Sequence, residues 1–503
     1  MQRKAKIVAT VGPSSNDPKT LERMIRSGLN VARMNMSHGT HDDHFERMQN
    51  IREASKEANQ EVAIILDLQG PKIRVDELPK DLWLKKGEFW FIGSKHLKED
   101  SNLPENYIPT VYEKLVDDVH EGAQILFDDG LIKAKAVSKE DGLLKARVLV
   151  GGRLKSSKGI NLPDCDVSAP SFTDKDRRDL MFGLKNEVDY VALSFVRRKE
   201  DVLQVKNLLH KLKMNVPIIS KIEKPQAVDN IDEIIKVTDV IMVARGDMGV
   251  EVGNHLVPSL QKMIINKCND AQIPVVTATQ MLESMTENPT PTRAEANDVA
   301  NAIWDGTDAV MLSGETAAGK YPIETIQMMN KIVIEAEKTP KERPFLREID
   351  LSNVNASVMV AASMIAEKIS ASRILSVTES GSSCLKISAF RPSTPVLGVT
   401  RSLITARKLC LYWGVMPFHL HSYNLDNFDF QRDVLNRVKR EFNLKNGDKL
   451  VITRGDGRFF ARGSSNSVKV EMIKDRPKIL GSSDVIEEAS DDQKRIQLDL
   501  SIC

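Results

Sequence analysis

Eight short apolar runs are spaced along the first two thirds of the chain, and each ends in a polar residue. The runs are residues 7–10, 31–35, 63–67, 190–194, 217–221, 240–245, 274–279 and 309–313. They are rich in β-branched residues, and helix-length stretches separate most of them, which predicts buried parallel strands alternating with helices. Eight such units are typical of an α/β fold, the (β/α)8 TIM barrel, whose active site lies at the carboxyl ends of the strands.

The spacing of the runs is uneven in one place, where more than a hundred residues separate the third run from the fourth. An unstructured loop of that length inside a compact domain is implausible, so we expect an inserted domain over residues 71–168. Turn signals recur there, and residues 145–150 alternate polar with apolar, which predicts a small β-barrel that closes over the active site as a lid. The barrel then comprises residues 1–70 and 169–338.

The last third of the chain predicts a separate α/β domain over residues 345–473. Residues 338–344 are charged and contain two prolines, which indicates a linker. Strands are predicted at residues 374–377, 396–399 and 450–452 and helices at 356–369 and 430–442, which together favour a largely parallel sheet. Residues 474–503 are polar, and we expect a loosely attached tail.

Composition narrows the classes of function. Apolar residues make up 41% of the 503 and charged residues 28%, as in globular proteins of more than one domain. A net charge of +1 and the lack of a bilayer-length apolar run argue against nucleic-acid and membrane partners. The first strand begins too early for a signal peptide. Five scattered cysteines fit a reducing compartment, so we expect a cytoplasmic protein.

Charged residues at two neighbouring strand ends indicate a metal site. Lys221 and Glu223 end one predicted strand, and Gly246 and Asp247 follow the next. Two carboxylates at adjacent strand ends can share one hard divalent cation, beside which Lys221 would meet negative charge on a substrate. Gly246 would let the backbone offer N–H groups to a substrate carboxylate. A structural Lys–Glu pair at the barrel rim is the alternative.

Other strand ends carry candidates that are less specific. Thr279 closes the seventh run and, because residues 280–283 look helical, its simplest interpretation is a helix N-cap. Polar groups also gather at the second and third strands, namely Arg33, Asn35, Ser37 and Asp67, and Arg33 with Arg74 could hold transferring phosphates. Each of these could instead form an ion pair at the rim.

Seven long motifs in one order give the chain a family resemblance. They are residues 6–13, 30–39, 67–74, 220–223, 242–251, 278–285 and 311–316. In these residues the chain resembles the pyruvate kinase family, and the resemblance runs from about Lys4 to about Val470. It implies transfer of the phosphoryl group of phosphoenolpyruvate to ADP, followed by protonation of the enolate to pyruvate. It also implies a homotetramer.

The resemblance implies a role for each candidate residue. Mg2+ or Mn2+ would be held by Glu223 and Asp247. The catalytic residues would be Lys221, Arg33 and Thr279, with Thr279 on the path that delivers the proton. Substrate binding would add the backbone of Gly246 and Asp247 and the side chain of Ser194. The nucleotide would lie toward Asn35, His38, Arg74 and Lys158, with Asp128 as a further residue of the lid.

One departure concerns monovalent cations. Many family members bind potassium through residues that match Asn35, Ser37 and Asp67, and those members carry Glu where this chain has Lys72. An ammonium group there could itself supply positive charge near the phosphate. Three neighbours also resemble the potassium-independent branch: Leu68, Gln69 and Val75. We therefore expect no requirement for K+; a Lys72 that points to solvent is the alternative.

A second departure concerns regulation. Residues 378–383 lie between a predicted strand and a helix, where hydroxyls and N–H groups can bind an anion. They resemble the effector-phosphate loop of the family through Thr378, Ser380, Gly381, Ser382 and Ser383. Glu379 would repel a second phosphate, so a sugar monophosphate or AMP is the expected activator. An unregulated helix N-cap is the alternative.

Two other functions compete with this interpretation. One is a metal-dependent aldolase or lyase on a related barrel that binds phosphoenolpyruvate or pyruvate. It would need neither the inserted domain nor Arg33 and Lys72. The other is an inactive homologue with a regulatory role, against which the intact Lys221, Glu223, Asp247 and Thr279 argue.

Overall fold

The computed structural model describes residues 3–97, 103–339, 353–420, 430–455 and 465–473. Sixteen strands precede residue 313, and they are β1 (Lys6–Thr10), β2 (Val31–Asn35), β3 (Ala63–Asp67), β4 (Leu82–Leu84), β5 (Phe89–Ser94), β6 (Tyr107–Thr110), β7 (Gln124–Phe127), β8 (Ile132–Glu140), β9 (Leu143–Val150), β10 (Gly152–Leu154), β11 (Ile160–Asn161), β12 (Tyr190–Val196), β13 (Ile218–Ile222), β14 (Val240–Ala244), β15 (Val275–Ala278) and β16 (Ala309–Leu312). Five more strands follow, namely β17 (Arg373–Val377), β18 (Val396–Thr400), β19 (Val415–His419), β20 (Lys449–Gly455) and β21 (Ser465–Met472).

Helices separate most of these strands. They are α1 (Pro18–Ser27), α2 (His41–Ala58), α3 (Leu115–Asp118), α4 (Asp174–Lys185), α5 (Lys199–Lys211), α6 (Pro225–Asp229), α7 (Ile231–Ile235), α8 (Arg245–Val252), α9 (Val257–Asp270), α10 (Arg293–Asp305), α11 (Gly314–Ala317), α12 (Pro322–Ala336), α13 (Val354–Lys368), α14 (Ser382–Ala389), α15 (Leu403–Leu409) and α16 (Phe430–Glu441). Among the described residues, none of the helices is both long and apolar enough to cross a membrane.

The predicted barrel is confirmed. Each of the eight apolar runs overlaps one strand, and the eight close in the order β1-β2-β3-β12-β13-β14-β15-β16, every pair parallel. All five residues of β1, β3, β13 and β14 are buried, because helices cover the outside of the sheet and side chains fill its interior. This double burial explains why the strands appear in the sequence as continuous apolar runs rather than alternating ones.

A polar residue closes the amino end of alternate strand pairs. This residue immediately precedes the second, fourth, sixth or eighth barrel strand. Its side chain accepts a hydrogen bond, 2.7–3.0 Å long, from a backbone N–H near the start of the preceding barrel strand. The pairs are Asn30 with Ile7, Asp189 with Ile64, Asp239 with Ile218 and Asp308 with Val275. A basic side chain contacts each of the four, namely Arg3, Arg52, Lys206 and Arg391. The amino ends are thus held by charge-assisted contacts.

The inserted segment between β3 and β12 forms its own sheets. Six strands pair in the order β11-β7-β8-β9-β5-β6, and β4 pairs with β10. The predicted alternation at residues 145–150 lies in β9, where Ala146 and Val148 are buried. These sheets enclose a separate apolar cluster that includes Ile92, Ile125 and Phe127.

The C-terminal part is a five-stranded sheet in the order β19-β18-β17-β20-β21, with only β21 antiparallel. The C-terminal part contains the three predicted strands, which are β17, β18 and β20, and both predicted helices, which are α13 and α16. The sequence interpretation missed β19, which contains Pro417, and β21, whose residues are largely polar. The expected linker beyond Thr339 and the expected tail lie outside the described residues.

The C-terminal part packs against the amino end of the barrel. Lys6 Nζ donates to the Val415 carbonyl at 2.5 Å, and the Tyr190 hydroxyl donates to the Lys408 carbonyl at 2.7 Å. Cys410 and Leu411 belong to the same buried cluster as the residues inside the barrel. This end is therefore closed by packing, and the carboxyl ends of the strands stay accessible to a substrate.

We expect Asp189→Ala to destabilise the barrel. The change removes the acceptor of the Ile64 N–H and leaves Arg52 without its buried partner, which costs about 3 kcal/mol. Differential scanning calorimetry should show a clearly lower unfolding temperature. The matched control is Asp232→Ala, because Asp232 forms an ion pair with Lys267 on the surface, where such pairs contribute little. Equal effects of the two variants would contradict the role assigned to Asp189.

Candidate active site

A buried carboxylate organises two cations at the carboxyl ends of β2, β3 and β13. Asp67 is 1% exposed, and its Oδ2 atom accepts from Arg33 Nε at 2.7 Å, while its Oδ1 atom lies 3.3 Å from Lys221 Nζ. Arg33 is fixed further by Thr10, whose hydroxyl accepts from Nη1 at 2.9 Å. Both cations are therefore held in place before any substrate binds.

Lys221 lies at the centre of the cluster. Its Nζ atom donates to Ser194 Oγ at 2.8 Å and lies 3.0 Å from Glu223 Oε1. Burial lowers the pKa of Lys221, but the charges of Asp67 and Glu223 outweigh burial, so the pKa lies above its ordinary value. The ammonium group thus keeps its charge in a site with little access to water.

The two candidate metal ligands face the same space. Glu223 is buried, its Oε2 atom accepts from the Phe195 N–H at 2.7 Å, and its Oε1 atom lies 3.0 Å from Lys221 Nζ. Burial raises the pKa of Glu223 against the opposing charge of Lys221, and nearby Asp247 raises it further. A buried carboxylate beside a partly exposed one fits a hard divalent cation. Within the described ranges no cluster of three or more such ligands occurs, so substrate oxygens would complete the shell.

Thr279 contacts the backbone of the neighbouring strand end. Its hydroxyl accepts from the Gly246 N–H at 2.8 Å and donates to the Ala278 carbonyl at 2.6 Å. The N-cap interpretation of Thr279 is wrong, since its φ is +73° and the next helical turn is a 3-10 turn that begins only at Glu283. The Gly246 N–H, expected to bind a substrate carboxylate, is engaged by Thr279 in this conformation.

The chain enters the inserted segment at Gly70, and this turn places Lys72. Gly70 has a φ of +67°, and a Cβ atom there would lie 2.9 Å from the Ser194 Cβ atom, so only glycine fits. Lys72 Nζ then lies 4.0 Å from Asp247 Oδ1. The lysine is directed toward Asp247, one of the two candidate metal ligands, and not freely into solvent.

The candidate nucleotide residues lie on β2 and on the inserted segment. Asn35 Oδ1 accepts from the Ser37 N–H at 3.1 Å, and His38 is exposed. Partial burial of the imidazole, together with the charges of Arg74, Lys72 and Arg33, lowers the pKa of His38. On the segment itself, internal contacts hold two of the candidates: Arg74 donates to the Ser157 carbonyl at 2.9 Å, and Lys158 pairs with Asp128 at 2.7 Å.

Comparison with known proteins agrees with this geometry. Residues 2–326 match the family model of the pyruvate kinase barrel domain, and residues 356–471 match that of the pyruvate kinase alpha/beta domain. The chain belongs to the pyruvate kinase family. It is 41% identical to the pyruvate kinase of Staphylococcus epidermidis over 97% of this chain and 85% of that protein. It is 42% identical to that of Geobacillus stearothermophilus over 94% of this chain and 81% of that protein.

The family assignment selects among the functions considered from the sequence. Pyruvate kinases are phosphotransferases of glycolysis, and phosphoenolpyruvate and ADP are the substrates that the family name implies. Both matched models belong to pyruvate kinase, and no finding supports an aldolase or a lyase. Lys221 also contacts Ser194 and Glu223 at the carboxyl ends of neighbouring barrel strands.

The expected effector loop follows β17. Gly381, with a φ of +86°, donates its N–H to Thr378 Oγ1 at 2.9 Å, and Ser376 Oγ donates to Ser383 Oγ at 3.2 Å. Ser380 and Ser382 are exposed at the start of α14. Two of the predicted hydroxyls, those of Thr378 and Ser383, are thus buried and used within the loop.

Sequence interpretation missed several residues that the fold brings to these sites. Glu251 on α8 accepts from Asn161 of β11 at 2.7 Å and pairs with Lys224 at 2.5 Å, so it connects the inserted segment to the barrel. Arg401, after β18, lies 3.8 Å from Glu379 Oε2. For Glu251 and Asn161, the sequence offered one indication, namely that Lys224, the ion-pair partner of Glu251, follows the candidate Glu223. No sequence pattern indicates that Arg401 contacts Glu379.

Proposed function

We propose that this chain transfers the phosphoryl group of phosphoenolpyruvate to ADP, giving ATP and pyruvate, with Lys221 as the central electrostatic group. One observation carries the proposal. Lys221 Nζ lies within 3.3 Å of Asp67, Ser194 and Glu223 at the carboxyl ends of three neighbouring barrel strands. Phosphoryl transfer depends on positioning and on spread positive charge, and this cluster supplies both.

Arg33 and Lys221 would hold oxygens of the transferring phosphoryl group, since both cations are fixed by Asp67. Glu223 and Asp247 would bind Mg2+ or Mn2+, an ion that would offset negative charge on the substrate carboxylate and phosphate. Gly246 and Asp247 would offer backbone N–H groups to the carboxylate. For Gly246 this requires the N–H to leave Thr279 Oγ1 when the substrate binds.

After transfer, negative charge develops on the enolate oxygen, and Lys221 would stabilise it there. Thr279 follows β15, which lies two strands further around the barrel than β13, the strand of Lys221. It would pass a proton toward the enolate carbon through water. The ADP phosphates would lie among Asn35, His38, Arg74 and Lys158. The low pKa of His38 supports this location, because its causes include three cations that would also attract phosphates.

The wider organisation is part of the same proposal. The catalytic barrel would comprise residues 1–70 and 169–338, the lid residues 71–168, and the effector-binding domain residues 345–473, with 474–503 as a tail. Separate apolar clusters in the inserted segment and in the C-terminal sheet support this division. We further propose a homotetramer that acts in the cytoplasm, with neither nucleic acid nor membrane as a partner.

Replacing Lys221 by methionine should lower kcat by about 100- to 1,000-fold or more, because a preorganised charge is lost from the reacting phosphoryl group. A coupled assay for pyruvate formation from phosphoenolpyruvate and ADP measures the effect. Lys236→Met serves as the control, since Lys236 is exposed and pairs only with Glu233 in the described part of the chain. Wild-type turnover in Lys221→Met would refute the proposed function.

Activity should not depend on potassium, because the Lys72 ammonium group already lies beside Asp247. With Mg2+ in buffers free of K+ and NH4+, turnover should be close to its value with K+. Lys72→Glu should lower that turnover, and added K+ should then raise it by about tenfold or more. Lys86→Glu places the same charge change on an exposed site of the inserted segment and should leave turnover unchanged. Strong potassium activation of the unmodified protein would sink this prediction.

A monophosphate, either a sugar phosphate or AMP, should activate the enzyme at the effector loop. One phosphate fits the exposed hydroxyls of Ser380 and Ser382 beside the start of α14. Glu379 disfavours a second phosphate, although Arg401 at 3.8 Å offsets part of its charge. Activation should lower the apparent KM for phosphoenolpyruvate about fivefold or more with kcat little changed, as for a shift between conformations.

Titration of each compound at subsaturating phosphoenolpyruvate measures this effect. Ser382→Asp should abolish activation without changing basal turnover, because it adds a like charge where the phosphate would bind. Ser393→Asp is the matched control on an exposed bend of the same sheet domain. Activation by fructose 1,6-bisphosphate alone, or activation that survives Ser382→Asp, would show that the site is misplaced.

A further inference from the structure

The backbone at the end of β15 is strained at the residue proposed to deliver the proton. Thr279 and Gln280 have φ values of +73° and +52°, so two successive residues other than glycine adopt the left-handed conformation. This conformation is especially unfavourable for a β-branched residue such as threonine. Each such residue costs about 1–3 kcal/mol and persists only where surrounding contacts enforce it.

Arg245 makes the contacts that enforce it. Its Nε atom donates to the Ala278 carbonyl at 3.2 Å, and its Nη2 atom donates to the Thr279 carbonyl at 2.7 Å. The guanidinium group therefore binds the carbonyls on both sides of the Thr279 Cα atom. Fixing these two peptide groups fixes φ and ψ of Thr279, and with them the direction of its side chain.

Arg245 is itself anchored from two helices. Its Nη1 atom donates to Asp298 of α10 at 2.7 Å and to Gln261 of α9 at 3.2 Å, and the side chain is only 11% exposed. Gln261 in turn donates to Asp305 at 2.9 Å. A planar guanidinium group can serve these carbonyls and this carboxylate together, whereas a lysine ammonium group lacks the required fork of donors.

Arg245 is also next in the chain to Gly246, a hydrogen-bond partner of the Thr279 hydroxyl. Arg245 immediately precedes Gly246, whose N–H donates to Thr279 Oγ1 at 2.8 Å. A Cβ atom on Gly246 would lie 3.6 Å from the Thr279 side chain, which shows how closely the two strand ends approach. Arg245 thus contacts the backbone of Thr279 and adjoins the peptide whose N–H the hydroxyl accepts in this conformation.

We propose that Arg245, anchored by Asp298, is a positioning residue for the protonation step: it holds Thr279 in its strained conformation so that the hydroxyl faces the enolate. The inference rests on the proposed function, in which Thr279 lies on the proton path. In that step a C–H bond forms at the methylene carbon of the enolate with a proton taken from solvent. Arg245 touches neither substrate nor proton and acts only through Thr279.

Exchange of the pyruvate methyl protons with D2O, followed by NMR with ATP and Mg2+ present, isolates the protonation step from overall turnover. Arg245→Lys should slow both exchange and kcat by about 100-fold, since a small misplacement of a reacting group costs that much. Asp298→Asn leaves Arg245 in place but weakens its anchor, and it should slow both by about tenfold. The KM for phosphoenolpyruvate should change less than about twofold in both variants.

A double-mutant cycle tests whether Arg245 acts through Thr279. Thr279→Val alone should slow exchange, and adding Arg245→Lys to it should cause no further loss, because residues that act as a unit are not additive. In Arg245→Ala, guanidinium ion at millimolar concentration should restore part of the exchange rate, and it should restore none in Thr279→Val. Circular dichroism should show that the variants are folded.

The outcomes separate this inference from the proposed function. Failure of the unmodified protein to form pyruvate would refute the function itself. If pyruvate forms but Arg245→Lys and Asp298→Asn exchange protons at the wild-type rate, the positioning role alone is overturned. Fully additive losses in the double variant would likewise overturn it, because Arg245 would then act independently of Thr279.

Discussion

The Asp67 carboxylate is the group on which the charge arrangement of the active site depends. Burial raises its pKa, but Lys221 and Arg33 together outweigh burial and hold the pKa below its ordinary range. The ionised carboxylate in turn permits two cations to lie side by side with little solvent, where their mutual repulsion would otherwise be costly. Because Thr10, Ser194 and Glu223 complete the contacts of these cations, a single acidic residue on β3 connects four strand ends into one preorganised site.

The two ends of the barrel use polar residues for different purposes. At the amino end, acceptors such as Asp189 and Asp308 satisfy strand N–H groups and pair with a basic side chain, so their charges are used within the fold. At the carboxyl end, Glu223 pairs with Lys221 inside the candidate site, and Asp247 is partly exposed. Packing of the C-terminal part against the amino end reinforces this asymmetry, since it leaves only the carboxyl end accessible.

The inserted segment contributes to the site through a few specific contacts. Asn161 reaches Glu251 on α8, the helix whose first turn carries Gly246 and Asp247, and Glu251 also pairs with Lys224, the residue after Glu223. The segment is therefore connected to both candidate metal ligands through their neighbours. Lys72 and Arg74 of the inserted segment thus lie near Asp247 and His38, beside Arg33 of the barrel strand β2.

The sequence by itself determined the barrel, the insertion, the C-terminal sheet and most of the candidate residues, because strands buried on both faces leave continuous apolar runs and the residue that ends each run lies at the active-site end. It also predicted Lys221 beside Glu223, two positions apart on one strand end. Only the tertiary structure decided that Thr279 is a strained residue and not a helix cap, and that Arg245, Asp298 and Gln261 hold it there. The strands β19 and β21 were missed for local reasons, since Pro417 interrupts the first and the residues of the second are largely polar. Periodicity reports which face of an element is buried, whereas hydrogen bonds between residues distant in the chain depend on how the helices and strands pack, which no local pattern encodes.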